Sequence, residues 1–581
     1  MIDKENDTRI ETDVLVIGAG AAGDMAAIKA AEAGCSVILL EKTAANTAGV
    51  TGFCGGMDHI PYVRPPEGTP LKDPKRWHVD ALPTAEEIGK RIVNIRVTGE
   101  KMFPAPWPIL YRESWDAVEY LDKIGVRVRE DDGTFWVIYV EEQAYTILFF
   151  RGAGPKDVGL MYRLVDAMKK AGVRILERTM VVDLLTHNGK VVGAVAVDVR
   201  TGEMKIIKSK ATVIAAGGLR REQISDAVFS DLFCQAWAPS GEGSSMGLAY
   251  RAGAEVMNME FAHISNQGKT TKMPFNCMGT FVCWSSDGTN PILRNAKGEE
   301  IFPKGKFYER YEGRGFNIAV TMFEEVKEGN APPFYWDCRH LPEERIQHLE
   351  RAITNEGPIA LKFLRQRGLD LRKDLIETTI TYLGLHGGVL TDENTQASLK
   401  GLYAAGDANG WTGGLTGALV FGTRAGKNSA KYVQKAEKPL IDEKQVENIK
   451  ETILDFQKIK KGYHPLEVER EVRSVVNRYS FLYKTEGGLR QGLNVINDLK
   501  ERVMPNICAK NPHELMRALE LRNIILCVEM HLQAGLERKD SRKGGWNHYS
   551  LRLDHPDPDP NLDGIFAIRR ENGQMKITLR K

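Results

Sequence analysis

The first half of the chain alternates short apolar runs with a stretch of helix-forming residues. Asp13–Ile17 (DVLVI) and Ser36–Leu40 (SVILL) have the length and composition of strands that are buried on both faces. Ala21–Ala33, between them, is rich in helix formers, and Ala211–Ala216 (ATVIAA) predicts a further buried strand. Buried strands joined through a helix predict an α/β fold with parallel strands.

The rest of the chain shows weaker periodic patterns. They predict, in chain order, a helix over 160–171, an extended segment over 173–184, a hairpin over 191–208 that turns at Thr201-Gly202, a helical and charged region from about 440 to 538, and an irregular Pro/Asp tail from Asp540.

A GxGxxG sequence, Gly18, Gly20 and Gly23, follows the first predicted strand and opens the first predicted helix. Gly18 permits a tight turn, Gly20 lets a pyrophosphate approach the backbone, and Gly23 lets the helix pack closely on the sheet. The helix N-terminus offers unpaired N–H groups to phosphates. Glu41 ends the second strand, where its carboxylate would bind the adenosine ribose. This unit predicts a bound FAD or NAD, against the alternative of a glycine-rich turn without a ligand.

Three later segments favour FAD over NAD. Gly49–Gly56 follows Glu41, where a flexible segment would pass beside a flavin ring, and the ATVIAAGG strand returns to the same sheet. Gly401–Asp407 (GLYAAGD) predicts a strand, a turn and an acid that would bind the ribityl chain or the pyrophosphate. The helix that begins near Ala418 would direct its N-terminus at the electron-rich edge of a reduced flavin.

Composition excludes several classes of protein. The 581 residues are 42% hydrophobic and 27% charged, a balance that argues against a disordered protein. The net charge is +2, so no overall positive potential marks the chain as a nucleic-acid binder. The eight cysteines never form a CxxC pair, which argues against an iron–sulfur cluster or another metal site held by this chain. The polar start lacks a signal peptide and no apolar run approaches membrane-spanning length, so we expect a cytoplasmic protein without a membrane span.

Taken together, these motifs resemble the flavoprotein-subunit superfamily of fumarate reductase and succinate dehydrogenase, which includes L-aspartate oxidase and the adenylylsulfate reductase alpha subunit. The resemblance continues through GEGSSMGLAYRAGAEVMNMEF (241–261), ELRNIIL (520–526) and ERKDSR (537–542), and so covers nearly the whole chain. It is specific for the superfamily, and it does not identify a substrate.

The resemblance implies a Rossmann-like FAD-binding domain with an inserted α+β capping domain and a C-terminal helical domain. The expected bounds are 1–235 and 350–435 for the FAD-binding domain, 236–349 for the capping domain, 436–540 for the helical domain and 541–581 for the tail. The residues assigned to FAD are Gly18, Gly20, Ala22, Gly23, Glu41, Lys42, Gly52, Gly55, Gly56, Val182, Ala216, Gly217, Gly406, Asp407, Thr416, Gly417 and Ala418.

The chain departs from the family pattern where the substrate would bind. Members that act on fumarate or succinate carry histidines where this chain has Ser265 and Leu383, and an arginine clamp where residues 412–417 contain none. A dicarboxylate needs fixed cations for both ends, so fumarate or succinate is not the expected substrate. Since no histidine occurs between 42 and 54, the covalent flavin link of many membrane-bound members is not expected either, and FAD should be held noncovalently.

Four residues are candidates for catalysis. His386, expected in a loop beside Gly387-Gly388, is the first choice for a proton donor or base, although a packed or solvent-facing histidine is an equal alternative. His263 is more simply a packed histidine. Arg314 is either an anion clamp or a solvated arginine, and Arg424 either a phosphate or substrate contact or a structural ion pair.

The resulting hypothesis is an FAD-dependent oxidoreductase that carries out a two-electron step on an activated C–C/C=C bond of an organic acid or thioester. One alternative is a sulfur-compound reductase similar to the adenylylsulfate reductase alpha subunit, and another is an electron-transfer subunit without its own substrate site. The sequence has no second dinucleotide-binding unit and no cysteines spaced to hold an iron–sulfur cluster. The resemblance therefore implies an iron–sulfur, ferredoxin-like partner subunit.

Overall fold

The structure, a computed structural model, describes residues 8–53, 59–61, 63–72, 107–140, 145–149, 159–221, 233–235, 240–265, 290–302, 318–330, 333–356, 360–410, 414–544 and 548–581. The strands are β1 Thr8–Ile17, β2 Val37–Leu40, β3 His59–Pro61, β4 Trp136–Val140, β5 Tyr145–Phe149, β6 Arg174–Leu176, β7 Thr179–His187, β8 Lys190–Asp198, β9 Met204–Ile214, β10 Phe233–Gln235, β11 Val256–Ser265, β12 Ile292–Arg294, β13 Glu300–Phe302, β14 Phe334–Asp337, β15 Ile376–Thr378, β16 Ile380–Val389, β17 Leu402–Ala404, β18 Tyr483–Lys484, β19 Arg542–Gly544, β20 His548–Arg552, β21 Ile565–Glu571 and β22 Gln574–Arg580.

The α-helices are interspersed with these strands in the first two thirds of the chain and dominate from residue 414 to residue 537. They are α1 Ala21–Glu32, α2 Gly49–Phe53, α3 Trp107–Lys123, α4 Leu160–Lys170, α5 Ser244–Ala252, α6 Ile318–Lys327, α7 Glu343–Glu356, α8 Ala360–Gln366, α9 Gly414–Val433, α10 Glu443–Lys458, α11 Pro465–Tyr479, α12 Glu486–Asp498 and α13 Pro512–Glu537. Among the described residues, no helix combines the length and apolar character needed to cross a membrane.

A seven-stranded sheet of order β6-β2-β1-β9-β8-β7, with β17 paired to β9, forms the first layer. β1 lies parallel to β2 and to β9, with Val14 opposite Val37 on one side and Ala211 on the other. β17 also runs parallel to β9, whereas β7 and β8 form an antiparallel extension of the same sheet. The predicted α/β class and the predicted hairpin are both confirmed.

Glycine allows α1 to approach this sheet closely. Gly18 has φ +100°, and a Cβ placed there would lie 2.6 Å from the carbonyl oxygen of Ala215. A Cβ on Gly23 would lie 1.9 Å from the carbonyl oxygen of Gly18. On its other side α1 packs against α9, where Gly422 meets the backbone of Ala22. The β1-turn-α1 unit therefore has the tight geometry that the sequence predicts.

A second sheet of eight strands joins distant parts of the chain. Its order is β10-β16-β11-β20-β18; in addition β19 pairs with β20, β21 with β11, and β22 with β21. The prediction of an irregular tail from Asp540 was wrong for β20, β21 and β22, because these strands complete the sheet around β11. A signal was present in the sequence: Asn572 and Gly573 both have positive φ between β21 and β22, as an Asn-Gly hairpin turn requires.

The predicted helical region is confirmed as α10 to α13. α13 is buried around most of its circumference, and the side chain of Asn511 caps its start by accepting a hydrogen bond from the backbone N–H of Glu514 at 2.9 Å. This helix packs against α11, α12 and β11, and so lies between the helical region and the second sheet.

Ion pairs with little solvent contact connect the layers. Arg538, directly after α13, donates from Nε to Glu260 of β11 at 2.6 Å, and both side chains are fully buried. The same guanidinium donates to the carbonyl oxygens of Leu562 and Gly564. The ERKDSR segment therefore holds the tail against β11.

We predict that replacing Arg538 by methionine lowers the free energy of unfolding by about 3 to 5 kcal/mol, because the Glu260 carboxylate would stay buried without its partner. Chemical denaturation monitored by circular dichroism measures this change. The control is Arg9→Ala, which removes an exposed pair with Glu443 and should cost less than about 1 kcal/mol. The added substitution Glu260→Gln should recover part of the loss, and equal effects of Arg538→Met and Arg9→Ala would contradict the assignment.

Candidate functional site at the carboxyl edge of the first sheet

The glycine turn and Glu41 form one end of the site. Glu41 accepts hydrogen bonds from the backbone N–H of Ala19 at 2.8 Å and of Thr43 at 2.7 Å. The buried carboxylate therefore lies against the turn that leads into α1. Among the described residues, a Cβ added to Gly20 would meet only Thr51 Oγ1, at 4.0 Å, so this part of the structure leaves the backbone at the start of α1 open to a ligand. These features fit a dinucleotide whose phosphates lie at the helix N-terminus.

Other residues assigned to FAD reach the same edge. β1, β9 and β17 are parallel, so their carboxyl ends lie side by side, and each is followed by an assigned group. Gly406 touches the start of α1, since a Cβ there would lie 2.8 Å from that of Ala22. The assigned residues beside these strand ends and in the first turn of α9 are Gly18, Gly20, Ala22, Gly23, Ala216, Gly217, Gly406, Asp407, Thr416, Gly417 and Ala418.

The remaining assigned residues have other surroundings. The ammonium of Lys42 donates to Glu242 at 2.8 Å and to Glu520 at 2.7 Å, so its charge is taken up by carboxylates. Val182, on β7, is buried in the hydrophobic core. Gly52 lies in α2, where a Cβ would meet the backbone of Thr47. Gly55 and Gly56 lie outside the described residues. A role in FAD binding stays a prediction for these residues and for those at the strand ends.

His386 and His263 lie on neighbouring antiparallel strands. His386 stands on β16 opposite Phe261, and His263 stands on β11 opposite Gly384. The two rings are buried, their centroids are 6.5 Å apart, and their planes are nearly perpendicular. The expectation that His386 lies in a loop was wrong, because His386 and Gly387 both lie within β16. The glycine serves close packing there, since a Cβ on Gly387 would collide with Met259.

Arg220 completes this cluster and was not among the sequence candidates. One terminal nitrogen donates to the carbonyl oxygen of Leu383 at 2.7 Å, and the other to the carboxylate of Asp407 at 2.7 Å. The side chain is buried between glycines: a Cβ on Gly384 would lie 2.8 Å from its Cδ, and one on Gly241 3.0 Å from its Cγ. The available signal was an arginine just after the ATVIAAGG strand. We call Arg220, His263, His386 and Asp407 the Arg220 cluster.

Both histidines of the Arg220 cluster are neutral at physiological pH. Burial, together with the charge of Arg220, lowers the pKa of His386 to about 3, although Asp407 and a backbone hydrogen bond with Gly410 oppose the change. Burial and the charge of Arg220 likewise hold the pKa of His263 well below its ordinary value. The cluster thus joins one paired guanidinium to two uncharged imidazoles, each of which offers one N–H donor and one nitrogen acceptor.

The other two catalytic candidates have different positions. Arg424, on α9, pairs with Glu113 of α3 and donates from Nε to the carbonyl oxygen of Glu393 at 2.9 Å. These contacts are those of a structural ion pair, which was one of its two predicted roles. Arg314 lies outside the described residues. Within the described ranges, no group of three or more His, Cys, Asp or Glu side chains could hold a metal ion.

A parallel-stranded edge with a glycine turn and an acid after the second strand is typical of a dinucleotide-binding protein. A model of the FAD binding domain matches residues 13–418, and a model of the fumarate reductase flavoprotein C-terminal region matches residues 469–580. The chain therefore belongs to the FAD-binding family that contains the flavoprotein subunits of fumarate reductase and succinate dehydrogenase.

Known relatives extend over the whole chain. The chain is 26% identical to one of the subunits of the fumarate reductase (CoM/CoB) of Methanothermobacter marburgensis, over 97% of each protein. It is 26% identical to the L-aspartate oxidase of Yersinia pestis, over 68% of this chain and 72% of that enzyme. The structure of adenylylsulfate reductase from Archaeoglobus fulgidus superposes with a TM-score of 0.80 at 20% identity, covering 99% of this chain and 96% of that one. That last likeness shows a shared fold.

We predict that the buried histidines make the protein less stable in acid. His386 has a folded-state pKa of about 3 against an ordinary 6.5, so stability present above pH 6.5 is lost as the pH falls from 6.5 towards 3. One such group contributes a slope of about 1.4 kcal/mol per pH unit in that window. Denaturant unfolding at several pH values should show a smaller slope for His386→Gln. The exposed His340→Gln is the control, and an unchanged slope in His386→Gln would count against a buried neutral ring.

Proposed function

We propose that this FAD-dependent oxidoreductase carries out a two-electron step on an activated C–C/C=C bond of an organic acid or thioester. The observation that supports this proposal is the Arg220 cluster beside the edge where FAD-assigned residues converge. FAD supplies the two-electron acceptor and donor chemistry when it is bound. The 26% identity to a fumarate reductase subunit over 97% of both chains is in keeping with this reaction class.

The proposed roles follow from charge and burial. When an activated C=C bond conjugated to a carbonyl group is reduced, negative charge develops on the carbonyl oxygen. Arg220 supplies a fixed guanidinium within the cluster, and a fixed cation in a water-poor site stabilises such charge strongly. His386, held neutral, offers its ring N–H as a hydrogen-bond donor to that oxygen, and its other ring nitrogen is the proposed proton acceptor when the bond is oxidised. His263 packs against its ring and limits how it can turn.

A free C4 dicarboxylate is not the proposed substrate. Leu383, which occupies the position of a substrate histidine in the family pattern, has a fully buried apolar side chain. Its carbonyl oxygen is already engaged by Arg220. One guanidinium paired with Asp407 offers less cationic binding than two carboxylates need. A monocarboxylate or a thioester, with a single polarised carbonyl group at the reacting bond, suits this charge balance better.

We predict that His386→Ala lowers turnover by about 100-fold or more while FAD stays bound, because the proposed hydrogen-bond donor to the developing oxyanion is lost. Anaerobic titration of the purified flavoprotein with organic acids, thioesters, fumarate and adenylylsulfate, followed by flavin absorbance, identifies the reacting class. The matched control is His340→Ala at an exposed site. Arg314→Ala, in the same assay, tests the anion clamp predicted from sequence.

Unchanged turnover in His386→Ala would remove this residue from the mechanism. A flavin that responds to adenylylsulfate alone would instead select the sulfur-compound reductase. A flavin that responds to protein partners and to none of the small molecules would select the electron-transfer subunit without a substrate site.

We further propose noncovalent FAD, a cytoplasmic location and an iron–sulfur partner subunit. No histidine lies in the segment 42–54 that could link the flavin, and the sequence holds no CxxC pair for a cluster. The relative from Methanothermobacter marburgensis, which matches over 97% of its length, is by name one of several subunits, and this supports a complex of several chains.

We predict that the native protein co-purifies with a ferredoxin-like subunit whose iron gives broad visible absorbance besides that of the flavin. Iron and acid-labile sulfide analysis of the isolated complex measures this, with the chain expressed alone as the control. A homomeric flavoprotein that is catalytically complete by itself would contradict the proposed partner.

A further inference from the structure

The strand β11 contains a bulge next to His386. Met257 of β11 pairs with Gly388 of β16. The next pair is Phe261 with His386, so three residues of β11 stand opposite a single residue of β16. We call residues 258–260 the β11 bulge. A bulge bends its strand and changes the direction of nearby side chains, and bulges are frequent beside active sites, so this one needs an explanation.

The backbone of the β11 bulge is strained and closely packed. Asn258 has φ +54°, in the left-handed region that favours glycine, and its side chain is fully buried. A Cβ on Gly387, across from the bulge, would lie 2.8 Å from the carbonyl oxygen of Met257 and 3.1 Å from the Cα of Met259. A strained conformation persists only where surrounding contacts fix it, so the contacts made by the bulge determine its shape.

Two fully buried side chains of the helical region bind the carbonyl groups of the β11 bulge. Lys484, on β18, donates from Nζ to the carbonyl oxygen of Glu260. On α13, His531 Nδ1 lies 2.8 Å from the carbonyl oxygen of Met259, and Nε2 lies 3.3 Å from that of Ser480. Burial lowers the pKa of His531 to about 3, so the ring is neutral and the shorter contact assigns its one N–H to Nδ1.

The β11 bulge lies where the neighbouring strand of β11 changes. On the edge away from β16, β11 pairs with β21 at Met257 and with β20 at Ala262. The strand that carries Lys484 lies parallel to β20. The two contacts therefore bind consecutive carbonyl groups at this change of partner. Without the two extra residues, the rest of β11 would move along β16 by about 7 Å, at roughly 3.4 Å per residue. His263 would then no longer lie beside His386.

We propose that Lys484 and His531 are positioning residues: by binding the carbonyl groups of the β11 bulge, they fix the register that places His263 beside His386. Neither side chain belongs to the Arg220 cluster, and both act through the backbone of β11. For its effect on turnover this role rests on the proposed function, because His386 is the group proposed to act on the substrate. The placement of the two rings is a separate property that can be measured without a substrate.

The experiment compares Lys484→Met and His531→Leu, which remove the donors, with His531→Asn, whose amide N–H can take the place of Nδ1. Nuclear magnetic resonance of the full-length, FAD-loaded protein with isotope-labelled histidines gives the ring signals of His263 and His386, assigned by His263→Gln and His386→Gln. We expect both signals to shift or broaden in the two donor-removing variants and to return towards the wild-type positions in His531→Asn. The control is Leu515→Ala, which shortens a buried side chain at the other end of α13 and should leave both signals in place.

Turnover gives the second readout. With kcat expressed per bound FAD, the donor-removing variants should lose about 10-fold to 100-fold in kcat with KM nearly unchanged, because misplaced groups slow the chemical step. Leu515→Ala should keep its kcat. If Lys484→Met fails to fold, the pair His531→Leu and His531→Asn carries the test.

Unmoved signals of His263 and His386 in the donor-removing variants, or equal changes in Leu515→Ala, would overturn the positioning role. Signals that move while kcat keeps its wild-type value would support the placement of the rings by Lys484 and His531 and would count against the part of His386 in the proposed reaction.

Discussion

The arrangement of the whole chain depends on a set of charges that are buried and must therefore be paired. Glu520 of α13 accepts from Lys42, which follows β2, and from Arg221, which follows β9. Glu242 and Glu469 supply the remaining negative charge around the same two cations. Burial alone would lower the pKa of Lys42, but the neighbouring carboxylates raise it above its ordinary value. Charges removed from water are tolerated only when all partners are in place, so this contact fixes the first sheet against the helical region.

The fixed contact also determines the position of the candidate site. Arg221 is held by Glu469 and Glu520, and its neighbour Arg220 extends to Leu383 and Asp407. Two consecutive arginines thus serve two purposes: one connects the helical region, and the other supplies a cation to the histidines. The site is precise because its cation, Arg220, directly precedes the anchored Arg221, which limits the backbone motion available to it.

Sequence alone could predict the local part of this structure. The turn from Gly18 to Gly23 was predictable because each glycine has a steric role within one β-α unit. The Arg220 cluster was not, since it needs β11 and β16 to pair across more than one hundred residues of chain. His386 was expected beside the glycines for their flexibility, but Gly388 serves close packing: a Cβ there would lie 2.0 Å from the backbone nitrogen of Gly410. Long-range pairing, rather than local propensity, decides those positions.

The charge balance at the carboxyl edge has a consequence for how a dinucleotide is held. Arg220 is compensated by Asp407, and Lys42 by its carboxylates, so these two cations are already engaged within the protein. Phosphates at this edge then depend on backbone N–H groups at the start of α1, whose partial charge is modest compared with that of a full cation. Glu41 already places one carboxylate against the turn into α1. Close fit of the backbone at the glycine turn, rather than attraction by a side-chain cation, is therefore what this edge offers a dinucleotide.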